Sequence, residues 1–256
     1  MPSNYAHLRF GQDVCKYNAV PYCNQLFLTG LHGPDILFFY HPAFPNKINR
    51  LGRALHRLKG SDFFHYVKKN CKTFSNDTLS YVCGVVCHYM LDQYCHPIVE
   101  QYIKNNHLTH LQIESSFDRR LMLSDGKKAV SHQYFDHICL DEHSAKIIAK
   151  VYGIEPEKVS RALHSMVFYG KFLSTANPAK RGIIKSAFWL TGCYRQLNGL
   201  LISHKQDPQT VESDLALYKQ YQSALEKTKP MMDEVLQYLQ ENVPLSDEFE
   251  HTFGAN

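Results

Sequence analysis

A chain of 256 residues can bury one substantial core, and nothing in its length requires a second domain. A hydrophobic share of 44% and a charged share of 20% exclude a disordered chain. A scattered formal charge of +4 suits an anionic ligand and argues against nucleic acid, and no apolar run is long enough for a membrane span.

In chain order, the segment Met1 to His7 has neither a basic n-region nor an apolar h-region, so no secretory signal is expected. The predicted location is cytoplasmic. The eight cysteines are then expected as reduced thiols, because no Cys-x-x-Cys pair suggests a redox site. Cys83 and Cys87 read as small buried hydrophobes. Gly30-Leu31-His32-Gly33-Pro34-Asp35 predicts a tight turn that presents Asp35 rigidly, followed by the apolar run Ile36 to Tyr40. Arg50 to Lys69 reads as one helix with a possible break at Gly60-Ser61. Apolar residues at Leu79, Val82, Val86, Met90 and Ile98 predict a helix from Asp77 to Lys104, with Asn76 as its N-cap. Thr109 can cap a second helix to about Leu123.

Farther on, His132, Asp136, His137, Asp141 and His143 make a polar patch that a solvated helix explains without a metal. Pro156 opens a helix to about Phe172. Ile183 to Leu190, with Trp189, could touch lipid, but a core helix is the better reading. Pro208 precedes a long amphipathic stretch to Leu239, which Pro230 is expected to kink or divide. Alternating strand patterns are absent. The predicted fold class is all-α, with residues 1–256 forming one compact multi-helix domain.

The chemistry concentrates in Cys87-His88-Tyr89-Met90-Leu91-Asp92-Gln93-Tyr94-Cys95-His96-Pro97. His88, Asp92 and His96 stand at i, i+4 and i+8, so a helix puts all three on one face. That face borders an apolar one, where unpaired polar groups are costly. A metal ion offsets the cost, and imidazole with carboxylate suits zinc. His110 and Glu114 repeat the four-residue step on the next helix, and Asp118 extends that row. Asp35, His7 and His56 are candidates of weaker individual signal, and His65 rivals His56. Residues 56 and 65 lie about 180° apart on a continuous helix. His56 follows small residues that permit close approach, whereas His65 sits among aromatic residues.

In this order of elements the chain resembles the zinc-dependent phospholipase C family, whose fold is related to the single-strand-specific zinc nucleases. The resemblance rests on His7, on Pro34-Asp35, on His56, on His88-x-x-x-Asp92 with His96, and on His110-x-x-x-Glu114. It covers roughly the first half of the chain. It implies a helical protein of that type holding two or three zinc ions and hydrolysing phosphate esters. By this resemblance Asp35, His56, His88 and Asp92 serve a first pair of metals, with Asp92 bridging. His96, His110 and Glu114 hold another ion, and His7 joins the site that the secreted enzymes complete with an N-terminal tryptophan. The sequence departs from that pattern in having no such tryptophan and a shorter step from Asp92 to His96, which points to a non-secreted branch.

Eight donors exceed the four that one zinc takes, so the full set needs at least two ions. Clustered metals suit phosphoester hydrolysis, because one acidifies water while its neighbour stabilises charge on the phosphoryl oxygens. Asp35 is the candidate carboxylate that orients the water or accepts its proton. The expected substrate is a small-molecule or lipid phosphoester. The alternatives are a nuclease-type phosphodiesterase and a non-catalytic metal-binding or interaction protein on the same scaffold. No Gly-rich phosphate loop, Gly-x-Ser-x-Gly elbow or His-Asp dipeptide supports a kinase, serine hydrolase or HD-type phosphohydrolase.

Overall fold

A computed structural model describes residues 4–18, 20 and 22–254. Residues 1–3, on which the reading of the N-terminus partly rests, lie outside the described residues. Among the described residues the fold is all-helical; an isolated bridge between Lys59 and Thr252 is its one extended pairing. The helices are α1 (Asn4–Tyr17), α2 (Gln25–Gly30), α3 (Lys47–His56), α4 (Gly60–Asn70), α5 (Asn76–Asn106), α6 (His110–Ser124), α7 (Glu142–Tyr152), α8 (Pro156–Leu173), α9 (Pro178–Leu190), α10 (Tyr194–Leu197) and α11 (Val211–Glu241). Short 3-10 turns occupy Gly33–Phe39, Asn198–Leu200, Pro208–Thr210 and Asp247–Glu250.

The spine is α5. Its Tyr81, Val82, Val85, Val86 and Tyr89 are all buried, and α11, α2, α1, α6 and α7 pack around it. A helix that is apolar on most sides belongs in a core. Ser75, one residue before the expected Asn76, caps α5 by accepting the Thr78 N–H. Thr109 and Gln112 form a reciprocal capping box at the start of α6. α2 crosses α5 at glycine on both sides. A Cβ on Gly30 would stand 2.2 Å from the Tyr81 carbonyl oxygen, and one on Gly84 would stand 2.1 Å from that of Phe27. Only glycine admits so close a backbone approach.

Several expectations need correction. The break allowed at Gly60-Ser61 in the stretch 50–69 occurs, but just ahead of it, at Arg57–Lys59, so His56 closes α3 while His65 lies on α4. Of the two outcomes expected at Pro230, division does not occur, since α11 runs for 31 residues through it. Its exposed position leaves the carbonyl that loses its N–H partner facing water. The polar patch at 132–143 is not one solvated helix: residues 125–141 are turns and irregular chain, Asp141 caps α7 by accepting from Ser144, and only His143 of the five lies on that helix. Trp189 is not in the core; it is 71% exposed. The thiols are not all reduced, since Cys15 and Cys23 form a disulfide that ties α1 to the start of α2. Such bonds persist in oxidising compartments, so cysteine usage no longer supports the cytoplasmic reading. No described helix is long and apolar enough to cross a membrane.

Candidate metal centre

The eight side chains singled out in the sequence come together around α5. His7 arrives on α1, Asp35 on the 3-10 turn after α2, His56 at the end of α3, and His110 and Glu114 on the first turns of α6. His7, Asp35, His56, His88, Asp92, His96 and Glu114 are buried; only His110 reaches solvent, with 40% of its side chain exposed. Their donor atoms form three groups: His7, His88 and Asp92; Asp35, His56 and His88; and His96, His110 and Glu114. His65 lies outside, its Nδ1 against the Tyr238 hydroxyl.

The ring orientations are set by backbone carbonyls. His56 Nδ1 is 2.7 Å from the Gly52 oxygen, His88 Nδ1 is 3.1 Å from that of Leu31, and His96 Nδ1 is 2.5 Å from that of Phe253. A carbonyl only accepts, so each Nδ1 carries a proton and it is Nε2 that each ring turns toward the carboxylates. His56 Nε2 then stands 2.7 Å from Asp35 Oδ1 and His88 Nε2 stands 3.2 Å from Asp92 Oδ2. Asp92 Oδ1 faces His7 Nε2 at 3.3 Å and His96 Nε2 at 3.7 Å. Glu114 Oε1 lies 2.9 Å from His110 Nε2 and 3.7 Å from His96 Nε2.

Despite these distances the Nε2 atoms of His56, His88, His96 and His110 make no aligned hydrogen bond, and neither do Asp35 Oδ1, Asp92 Oδ2 and Glu114 Oε2. Buried polar atoms seldom stay orphaned. Two ligands bonded at 2.0–2.1 Å to one tetrahedral zinc stand roughly 3.4 Å apart, which falls among the spacings seen here. A cavity of about 20 Å³ lies between His7, Asp92, His96 and Glu114, room for about one water molecule or an ion. The donors therefore fit metal ions in number, type and spacing. His88 offers one free nitrogen, so it can ligate only one ion of the two groups that include it.

Electrostatics point the same way. Burial pushes the Asp92 carboxyl up, but the surrounding imidazoles of His96, His88 and His7 hold it well below the usual carboxylate range. The Asp35 carboxyl is pushed up by burial and more than offset by His56 and His88, so its pKa is lowered. Glu114 is lowered too, burial being outweighed by His110 and His96. Burial would lower the His96 imidazole, yet Asp92 and Glu114 raise it to about 10. The carboxylates stay ionised and the pocket attracts positive charge.

The sequence set Asp118 in the row with His110 and Glu114 but did not show what holds the ligands in place. Asp118 joins none of the three donor groups; it accepts the backbone N–H groups of Tyr5 (3.2 Å) and Ala6 (2.8 Å), fixing the first turn of α1 and with it His7. Its four-residue step from Glu114 was the available signal. The tail after α11 has no such signal. There Phe253 packs its ring against His56 and His88, its carbonyl holds His96, and the Gly60 N–H donates to the His251 carbonyl. His32 stacks on His137 behind the site, their Nε2 atoms 2.7 Å apart. Among known proteins, no family model, no curated protein and no solved structure matches this chain.

Proposed function

We propose that the protein is a zinc-dependent hydrolase of phosphate esters, cleaving phosphodiesters in the manner of the phospholipases C. The supporting observation is the convergence of three groups of imidazole and carboxylate atoms, all buried except His110 and most without an aligned hydrogen bond, at zinc-ligand spacing. Asp35, His56, His88 and Asp92 would hold one ion, His7 and the second oxygen of Asp92 a neighbour, and His96, His110 and Glu114 another. Asp92, with Oδ2 toward His88 and Oδ1 toward His7 and His96, has the disposition of a bridge. Zinc in such a cluster supplies Lewis acidity, polarising a phosphoryl oxygen and acidifying water. Asp35 would orient that water and accept its proton. The carbonyls of Gly52, Leu31 and Phe253 keep the imidazoles in the ligating tautomer.

One observation favours a second reading, a non-catalytic metal-binding protein on this scaffold. Seven of the eight side chains are buried, and the cavity among them has room for about one water rather than a substrate. A phosphoester would have to reach the ions past His110. Turnover of a chromogenic phosphodiester by metal-replete protein, abolished by chelation and restored by zinc, separates the two. Metal uptake without turnover of phosphodiesters or phosphomonoesters, nucleic acids included, would favour the second.

A further inference from the structure

The segment from Lys158 to Gln206 contains eight Lys and Arg residues and no Asp or Glu. Against a whole-chain charge of +4, that leaves the other residues net acidic. The same segment carries a concentration of large apolar side chains that reach water. On α9, Ile183, Trp189 and Leu190 are 72%, 71% and 78% exposed, and Phe168 and Phe172 of α8 and Tyr194 of α10 are exposed beside them in sequence. Phe168 stacks on Phe172, and Lys180 Nζ lies 4.5 Å over the Phe172 ring, joining the end of α8 to the start of α9.

α9 is held from beneath. Ile184 is buried, and the buried Arg181 donates to the carbonyls of Thr175 and Ile202. Its outward face holds the large apolar Ile183, Trp189 and Leu190 with the small Gly182, Ser186 and Ala187. A fixed helix with its apolar side outward and basic residues around it lacks the arrangement of an ordinary surface helix.

We propose that α9, with the ends of α8 and α10, is a docking face for an anionic lipid surface. The helix lies on the bilayer rather than crossing it: Ile183, Trp189 and Leu190 enter the headgroup–acyl boundary, while Lys180, Lys185 and Arg195 meet lipid phosphates. Lys158 and Lys171 pair with Glu155 and Asp136, but Lys180, Lys185 and Arg195 form no ion pair among the described residues. This excess of positive charge selects a lipid surface over a second copy of the chain, because two such faces brought together would repel. The face leads toward the candidate metal centre. Arg195 donates to the His107 carbonyl, and Gly199 packs on Leu111, beside the one half-exposed ligand, His110. The proposal goes beyond the hydrolase reading and does not depend on it.

Trp189 is the only tryptophan in the chain, so its fluorescence reports this face alone. The full-length protein is titrated with vesicles of phosphatidylcholine, or of phosphatidylcholine mixed with phosphatidylserine, and flotation is followed in parallel. Blue-shifted emission and flotation are expected with the anionic vesicles and not with the neutral ones. The variant Ile183→Ser/Leu190→Ser keeps the reporter and is expected to bind roughly a hundredfold more weakly, and Lys180→Glu/Lys185→Glu about tenfold. Both alter surface positions, and circular dichroism checks that the helices remain. Unchanged emission with anionic vesicles, or binding indifferent to both variants, overturns the proposal. So does emission that is blue without vesicles and shifts red on dilution, which would show a second copy covering the face. No turnover is measured, so failure here leaves the hydrolase reading intact.

Discussion

At the scale of single residues, Asp92 concentrates the argument, because one buried carboxylate faces His7, His88 and His96 at once. Asp92→Asn keeps the shape and removes the charge that would hold two cations close together. We expect the variant to lose at least one ion by elemental analysis and turnover by a factor on the order of 100 or more, with its helical circular dichroism intact. Full metal content and near-normal turnover would take Asp92 out of the centre. His137 tests a different property. Burial pushes its imidazole down to about 4, and burial, then the proximity of His137, lowers His32 as well. Because the folded pKa lies below the unfolded value, the unfolded chain takes up protons first, and stability falls as pH drops from about 6.5 toward 4. For His137 the loss between pH 7 and pH 5 comes to about 2 kcal/mol. Denaturant titrations at the two pH values should show a shallower loss in His137→Gln, and equal losses would contradict the assignment.

At the scale of elements, ligand geometry depends on how closely helices approach. The α2–α5 crossing sets the Leu31 carbonyl against the His88 ring and leads the chain directly to Asp35. Gly84→Ala drives a methyl group into the Phe27 carbonyl. It should cost about 3 kcal/mol and lower the melting temperature by roughly 10 °C; an unchanged melting curve would mean the crossing tolerates separation. The tail makes a second test. Truncation after Thr252 removes the acceptor for His96 Nδ1 and should cost the ion at His96, His110 and Glu114. Phe253→Ala keeps the carbonyl and should keep the ion, at an expense of about 3–5 kcal/mol in stability. Loss of metal in both variants, or in neither, would argue against a positioning role for the carbonyl. These elements also show what the sequence could reveal. His88, Asp92 and His96 were legible because helical periodicity puts four-residue steps on one face, and Thr109 was legible because capping is local. The Phe253 carbonyl was not, since every residue has a carbonyl and the contact spans 157 positions. Trp189 misled because an apolar run reads the same whether its face meets a core or water. The Cys15–Cys23 bridge escaped a reading that looked for cysteine motifs rather than for neighbouring helix ends.

At the scale of the whole molecule, the candidate centre draws on α1, α3, α5, α6 and the turn after α2, so ions would brace most of the fold. Each site filled at about a thousandfold over its dissociation constant adds about 4 kcal/mol. Chelation should therefore lower the melting temperature by more than about 10 °C, and zinc should restore it; a melting curve indifferent to both would remove the structural role of metal. The tail that holds His96 has one more consequence, in the order of synthesis. His96, His110 and Glu114 all precede Phe253 by more than a hundred residues, so a growing chain carries these three donors through a long further stretch of synthesis without the contact that orients His96. If that site takes an ion, its full affinity would arise only after the tail has docked against Gly60, which would make loading there a late step of maturation rather than a template for early folding.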